Sequence, residues 1–252
     1  METATNVTPQ TEEMSATDKI VNVISAPGDL FTYVAHEGKK SSNYTIPLLL
    51  SIIVSVLFMF VVFSQPAIKE QMSAQQDKAL QQRVEEGKMT AEQYERAKEM
   101  TPGAGSPVFL IFGSVGIVVV TLVMLFGSSL AYWLVGKYAF KASVPYGKVV
   151  EVSGLSMYIM IIGTVLTMII AIAMGSVHAG PHLGLLLGNS FDPMNKLHKV
   201  LANINFVTIW YLVVVAIGLS KLFAVQQAKT FLAVGILWIL YIAATVGFSF
   251  GG

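Results

Sequence analysis

Cysteine is missing from all 252 residues. Disulfides, cysteine-based zinc sites and thiol nucleophiles are therefore excluded. Charge is scarce as well: Asp, Glu, Lys and Arg make up 12% of the chain, and 54% of it is hydrophobic. An average soluble domain is roughly 25% charged. A globule of this size could not cover its surface with so few polar groups, which points to a membrane protein. The net charge of +1 includes no clustered basic surface, so nucleic acid is not among the expected partners. Also missing are GxxxxGK[ST], HExxH, GxSxG and a strand-linked GxGxxG, the signatures of phosphate-binding, zinc-hydrolytic, serine-hydrolytic and dinucleotide sites. No cofactor is expected. The opening METATNVTPQTEEMSAT is polar and has no secretory signal, and 1–17 reads as a disordered polar tail before a single domain over 18–250.

The gaps between charges locate what is there. No Asp, Glu, Lys or Arg occurs over 41–68, 100–136, 152–191, 200–220, or from Thr230 onward. A helix crossing a hydrocarbon core of ~30 Å needs about 20 residues. Each gap holds one span, and the sequence predicts them at 46–64, 108–135, 154–177, 206–223 and 230–248. Backbone groups left unpaired in lipid are costly, and these runs lack the alternation of barrel strands, so the spans are predicted to be helices. The expected fold is an all-α integral membrane bundle of five helices.

Three other segments have their own character. In "DKIVNVISAPGDLFTYVAHEGKK", Ile20, Ile24, Leu30, Phe31 and Val34 recur on a helical period, with Thr17 as candidate N-cap and Pro27 dividing two short helices. An amphipathic helix on the membrane surface is the favoured reading, a partly ordered linker the alternative. Over 65–100 the chain turns polar, with seven acids and six bases. There Ile68, Met72, Leu80 and Val84 form one narrow stripe, Gly87 suits a helix stop, Thr90 and Gln93 form a capping box, and Glu92–Arg96 is an i,i+4 pair. This predicts an extramembrane helical hairpin, with Gly87, Tyr94 and Arg96 as candidate contacts for an unidentified protein partner. The third segment, 179–190, is broken by Gly180, Pro181, Gly184 and Gly188 and is too short to cross. It is read as interfacial, with a re-entrant segment or a packed loop as alternatives.

Only one cluster resembles chemistry. His178, His182, Asp192 and His198 share a single inter-span loop. Two histidines four apart can hold a metal on a helix, but Gly180 and Pro181 stand between them, and the ordinary expectation is no metal site. The charge-free gaps argue against a proton-coupled transporter. Small-residue pairs at Gly127/Ala131, Ala171/Gly175 and Ala243/Gly247 allow close helix approach, chiefly within the monomer, and a homo-oligomer stays open. Lys39, Lys40, Lys137, Lys141, Lys148, Lys221 and Lys229 flank spans on one side, against Lys196 and Lys199 on the other. The positive-inside rule then puts the N-terminus in the cytoplasm and the hairpin outside.

The closing stretch "LANINFVTIWYLVVVAIGLSKLFAVQQAKTFLAVGILWIL" resembles the last two helices of bacterial Yip1-domain proteins, through Phe206, Trp210, Gly218, Leu219, Ser220 and Lys229. "ISAPGDLFTYV" is similar to that family's opening, where a proline, here Pro27, precedes a surface helix. An insert like "GKMTAEQYERAKEM" after the first span also fits. The resemblance runs from about Asp18 to Ile239. It implies five spans and a cytoplasmic N-terminus, in the inner membrane for a bacterial member. In eukaryotic relatives it implies partner binding in vesicle traffic with Rab GTPases, a system bacteria lack. Where family members often carry an aspartate before the fourth span, this chain has Asn203 and Asn205, so a role resting on that carboxylate does not transfer. The expected function is a non-enzymatic scaffold or adaptor in the lipid bilayer. A small-solute or lipid transporter or channel is the alternative, and an intramembrane enzyme using the histidines a third class.

Overall fold

The structure, a computed structural model, describes residues 13–193 and 195–248. Most of the tail expected over 1–17 thus lies outside the described residues. Within them the chain is helical and forms no strand; its one β-bridge is isolated, between His182 and Asn205. Five helices are long and apolar enough to cross a membrane: α3 (Ser42–Val62), α6 (Pro107–Tyr138), α7 (Tyr146–Met174), α9 (Phe206–Phe223) and α10 (Gln227–Phe248). Between and before them come α1 (Ala16–Ser25), α2 (Pro27–His36), α4 (Pro66–Glu85), α5 (Ala91–Met100), a 3-10 helix (Leu183–Ser190) and α8 (Lys196–Asn203). Successive spans alternate in direction. This gathers α1, α2 and the short α6–α7 and α9–α10 links at one end, and α4, α5, the 3-10 helix and α8 at the other.

The boundaries are set by local chemistry. Ser15, not Thr17, caps α1: its hydroxyl accepts from Asp18 N–H while the Asp18 carboxylate accepts from Ser15 N–H, a complete capping box. Pro27 occupies the first turn of α2, where its missing N–H costs nothing. Ser106, Asn195 and Asn205 cap α6, α8 and α9 through their side-chain oxygens. Span α7 begins at Tyr146, well before the charge gap does, because Lys148 and Glu151 lie inside the helix and are neutralised there. At 29 residues it exceeds the hydrocarbon core by about nine residues. The two charges lie in its first two turns, within reach of that excess length.

Helix α7 is the hub. It packs on α3, α6 and α9, and α9 in turn packs on α2 and α10. The main core joins Val23, Leu30, Phe31 and Val34 of the N-terminal helices to Val149, Val152, Leu155 and Ile159 of α7 and Val215 and Leu219 of α9. The residues read on a helical period over 20–34 fall on two helices divided at Pro27 and take different places. Leu30, Phe31 and Val34 are sealed in the protein core, while Ile20 and Ile24 of α1 point outward. Lys19 and Val23 form the inner face of α1. Of the small-residue pairs, Ala171 is buried, whereas Gly127 and Gly247 meet nothing within 4 Å and face outward.

Two positions expose the tolerances of this packing. A Cβ on Gly154 of α7 would lie 2.5 Å from the Tyr44 Cα of α3, a backbone contact that cannot yield cheaply. Ala224, after the end of α9, holds φ 53° and ψ 43°, the left-handed conformation that disfavours a side chain. Gly154→Ala is expected to lower stability by about 1–3 kcal/mol through overpacking. Ala224→Gly is expected to raise it by up to about 1 kcal/mol. Unfolding midpoints of the purified variants in one detergent check both signs, and a neutral Gly154→Ala would refute the tight α3–α7 crossing.

Candidate functional site

The densest concentration of polar chemistry is buried at the N-terminal end of the bundle. It is assembled from α1, the α2–α3 link, α3 and α7. Lys19 of α1 donates to both Glu37 carboxylate oxygens, at 3.1 and 3.0 Å, and to the Asn43 carbonyl oxygen at 2.9 Å. The Asn43 amide nitrogen donates to Glu151 at 2.9 Å and to Glu37 at 3.4 Å. Lys148 donates to Glu151 at 3.1 Å and to the backbone carbonyls of Val34 and Gly38 at 2.9 and 3.1 Å. The second Glu151 oxygen accepts from Lys40 N–H at 3.2 Å. Each ammonium thus places three hydrogen bonds, which fills its donor capacity.

The buried charges balance: Lys19 and Lys148 against Glu37 and Glu151, with all four side chains under 10% exposed. At the rim Lys40 pairs with Glu37 at 2.8 Å and with Glu13 at 3.3 Å, and Tyr33 donates to Glu37 at 3.3 Å. Burial pushes the Glu37 carboxyl up, but hydrogen bonds from Lys40, Lys19 and Asn43 and the Lys19 charge outweigh it. The net pKa is lowered. The Lys40 ammonium, hydrogen-bonded to Glu37 and Glu13, is held above its ordinary value. Sequence reasoning missed this network and counted Lys148 as an ordinary span-flanking charge. A signal was present: Lys148 and Glu151 stand three apart beside a span, the spacing of a helical ion pair.

At the opposite end, α4 and α5 lie against each other. The root of α4 is fastened to the end of α7. Ile68 is fully buried against Phe63, Ala104 and Val177. Gln71 donates to Ser176 Oγ at 3.2 Å and accepts from Val177 N–H at 3.0 Å, and Gln75 meets His178 Nε2 at 2.9 Å. Farther along, the Tyr94 hydroxyl of α5 donates to Asp77 at 2.6 Å, and Lys98 pairs with the same carboxylate at 3.1 Å. Tyr94 therefore braces α5 on α4. Gly87, at φ 69°, and Arg96, paired with Glu92 at 2.7 Å, are exposed.

His178 and His198 are engaged by neighbours, whereas the buried Nδ1 of His182 has no hydrogen-bond partner. His182 Nε2 lies 3.0 Å from the His178 carbonyl, and a carbonyl only accepts, so Nε2 carries the proton. His198 Nδ1 accepts from Asp192 N–H at 3.0 Å. The Phe191 ring lies between His178 and His198, at 5.1 and 5.9 Å. Among the described residues no three His, Cys, Asp or Glu side chains form a ligand set for a metal. Burial lowers the pKa of both His178 and His182, for His178 with a further push from His182. An open cleft of about 330 Å³ adjoins them, lined by His178, Phe191, Lys199, Asn203 and Thr245 among others. The 179–190 segment is tied to the start of α9 by Leu183 N–H to Ile204 O and Phe206 N–H to Pro181 O, both at 3.0 Å.

The motif residues at the chain's end have distinct places. Phe206 is exposed, Trp210 packs at the edge of the core, and Gly218 lies under the Phe31 ring and Val152. Leu219 is buried, Ser220 bonds the Ile217 carbonyl, and Lys229 is exposed. Asn205 accepts from Val207 and Thr208 N–H as the α9 cap.

The family model of the Yip1 domain matches residues 21–248. No curated protein and no solved structure matches the chain.

The two titrating regions predict separate acid steps. Each folded pKa is lowered, so each group contributes stability above its unfolded value and loses it as the pH falls through its folded value. For His178 the loss begins below 6.5 and for Glu37 below 4.5. His178→Gln is expected to flatten the upper part of the acid limb and Glu37→Gln the lower. A pH series of thermal midpoints in detergent measures this, and an unchanged acid limb in either variant would refute the assignment for that residue.

Proposed function

Because the chain belongs to the Yip1-domain family, over residues 21–248, we propose that this integral membrane protein is a non-enzymatic scaffold that engages protein partners through the α4–α5 arm. The observation carrying the reading is how the arm is held. Its root is hydrogen-bonded to 176–178 through Gln71 and Gln75, and its outer half is braced by Asp77, Tyr94 and Lys98. A helix of 20 residues extends about 30 Å. The arm thus presents an exposed, charge-balanced tip around Gly87 at a fixed angle, and pre-ordering of this kind lowers the cost of binding. Nothing in the arm is arranged for bond-making chemistry. Its charges are paired or solvated.

Orientation is part of the proposal. At the α1–α2 end Lys39, Lys137, Lys141, Lys221 and Lys229 are exposed, while Lys148 is neutralised by Glu151. With the charge-balanced arm set aside, these lysines outnumber Lys196 and Lys199 beside the spans at the other end, which supports a cytoplasmic α1–α2 end in a bacterial inner membrane and an arm on the far side. A second reading, a small-solute or lipid transporter, draws on the open cleft beside His178 and Lys199.

The natural absence of cysteine makes the test direct. Gly87→Cys is expected to react with a membrane-impermeant maleimide in intact cells, and Lys141→Cys only after lysis; the reverse pattern would invert the orientation. A photo-crosslinker at Arg96 is expected to capture a discrete protein, whereas one at Tyr94 captures mainly α4. Saturable solute flux by the purified protein in proteoliposomes, with no crosslink at Arg96, would replace the scaffold reading with the transporter.

A further inference from the structure

The N-terminal helices are joined to the bundle in an unusual way. Their buried apolar contact is made by Val23, Leu30, Phe31 and Val34, with Met14 and Tyr33 at its edge and Phe31 laid on the bare backbone of Gly218, where an added Cβ would stand 3.0 Å from the ring. Their polar attachment converges on one place. Lys148 holds the Val34 and Gly38 carbonyls, and Glu151 holds Lys40 N–H and, through Asn43, the Lys19–Glu37 pair. Between α2 and α3 the chain is non-helical, and Gly38 is exposed with nothing within 4 Å of its side-chain position.

We propose that α1–α2 is a displaceable cap, hinged over 37–41 and latched to the bundle by the Lys148–Glu151 pair of α7. Three physical points carry this. Burying four charges costs desolvation that their mutual attraction offsets only while every partner is in place, so the network fixes the cap's position as one unit and the loss of a single partner releases it. The network is charge-neutral, and its parts are accessible to water once the cap lifts, so opening strands no unpaired ion in an apolar site. The remaining apolar contact is Val23 of α1 and one face of the ten-residue helix α2, set on α7 and on α9 around Gly218. Such an interface separates as a unit. Opening presents Leu30, Phe31 and Val34, sealed in the closed form, at the membrane boundary.

Every charged or titratable group facing the latch belongs to one set: Lys19, Tyr33, Glu37, Lys40, Lys148, Glu151 and, at the rim, Glu13. The device does not depend on the arm at the other end. Amide hydrogen exchange on the full chain in lipid nanodiscs tests it. In the wild type, α1 and α2 are expected to exchange with one common rate, faster than α7 and α9. Glu151→Gln is expected to raise that common rate at least tenfold and leave α9 unchanged. Phe31→Ala, which loosens the cap through packing instead of charge, is expected to give the same pattern and carries the test if Glu151→Gln does not accumulate. Unchanged α1–α2 exchange in both variants, or an equal rise in α7 and α9, would overturn the cap.

Discussion

Asn43 is a neutral amide between four buried charges, and the N-terminal half of the protein is arranged around it. Its oxygen accepts from Lys19 and its nitrogen donates to Glu151 and Glu37. It joins two ion pairs that would otherwise be separate. An amide suits this place because it offers an acceptor and donors on one planar group. A carboxylate there would unbalance the charge, and an apolar residue would leave Lys19 and Glu151 short of partners. The position is further constrained from its own helix: Pro47, four residues on, cannot donate to the Asn43 carbonyl, and Gly154 brings α7 against that same turn. One residue thus fixes the entry of α3, its crossing with α7, and the seat of α1 and α2.

That constraint explains why a membrane protein so poor in charge keeps charge at this spot. The pairs stand at the start of α7, where mutual pairing and hydrogen bonds offset the cost of burying the charges. They also lie under α1 and α2, which exclude enough water to give the hydrogen bonds direction. An apolar replacement of the same volume would be as stable. It would lose the register, because apolar surfaces slide and a network of saturated donors does not. The same logic holds at the other end in weaker form. Gln71, Gln75 and His178 align the arm's root through single hydrogen bonds, while Ile68 supplies the burial.

The parts legible in the sequence were those whose signal is local. The five spans follow from charge-free gaps. The Thr90–Gln93 box and the Gly87 stop follow from helix-end chemistry within a few residues. What stayed hidden depends on partners far apart in the chain: Lys40 and Asn43 meet Glu151 across 111 and 108 positions. Counting charges as solvated could not find them. It also misread the start of α7 and gave Lys148 a topological weight that Glu151 cancels. Tyr94 was read as a candidate partner contact, but its direction was not legible, since Asp77 is its partner across the turn. The division of 20–34 at Pro27 was legible, but the faces of its two helices were not. Pro27 resets the helical phase, so residues in one apparent period end on different faces.

Helix α7 ties these features together. Its first turns carry Lys148 and Glu151, and the residues just past its Gly175 stop carry Ser176, Val177 and His178, which receive the arm. Its 29 residues span about 44 Å at helical rise. It is also the most buried of the spans over its first half, with 146–159 almost entirely enclosed. A long helix clamped along one half and free of internal proline behaves as a stiff rod. The seat of α1–α2 and the root of α4 are therefore held at fixed separation and azimuth on one element.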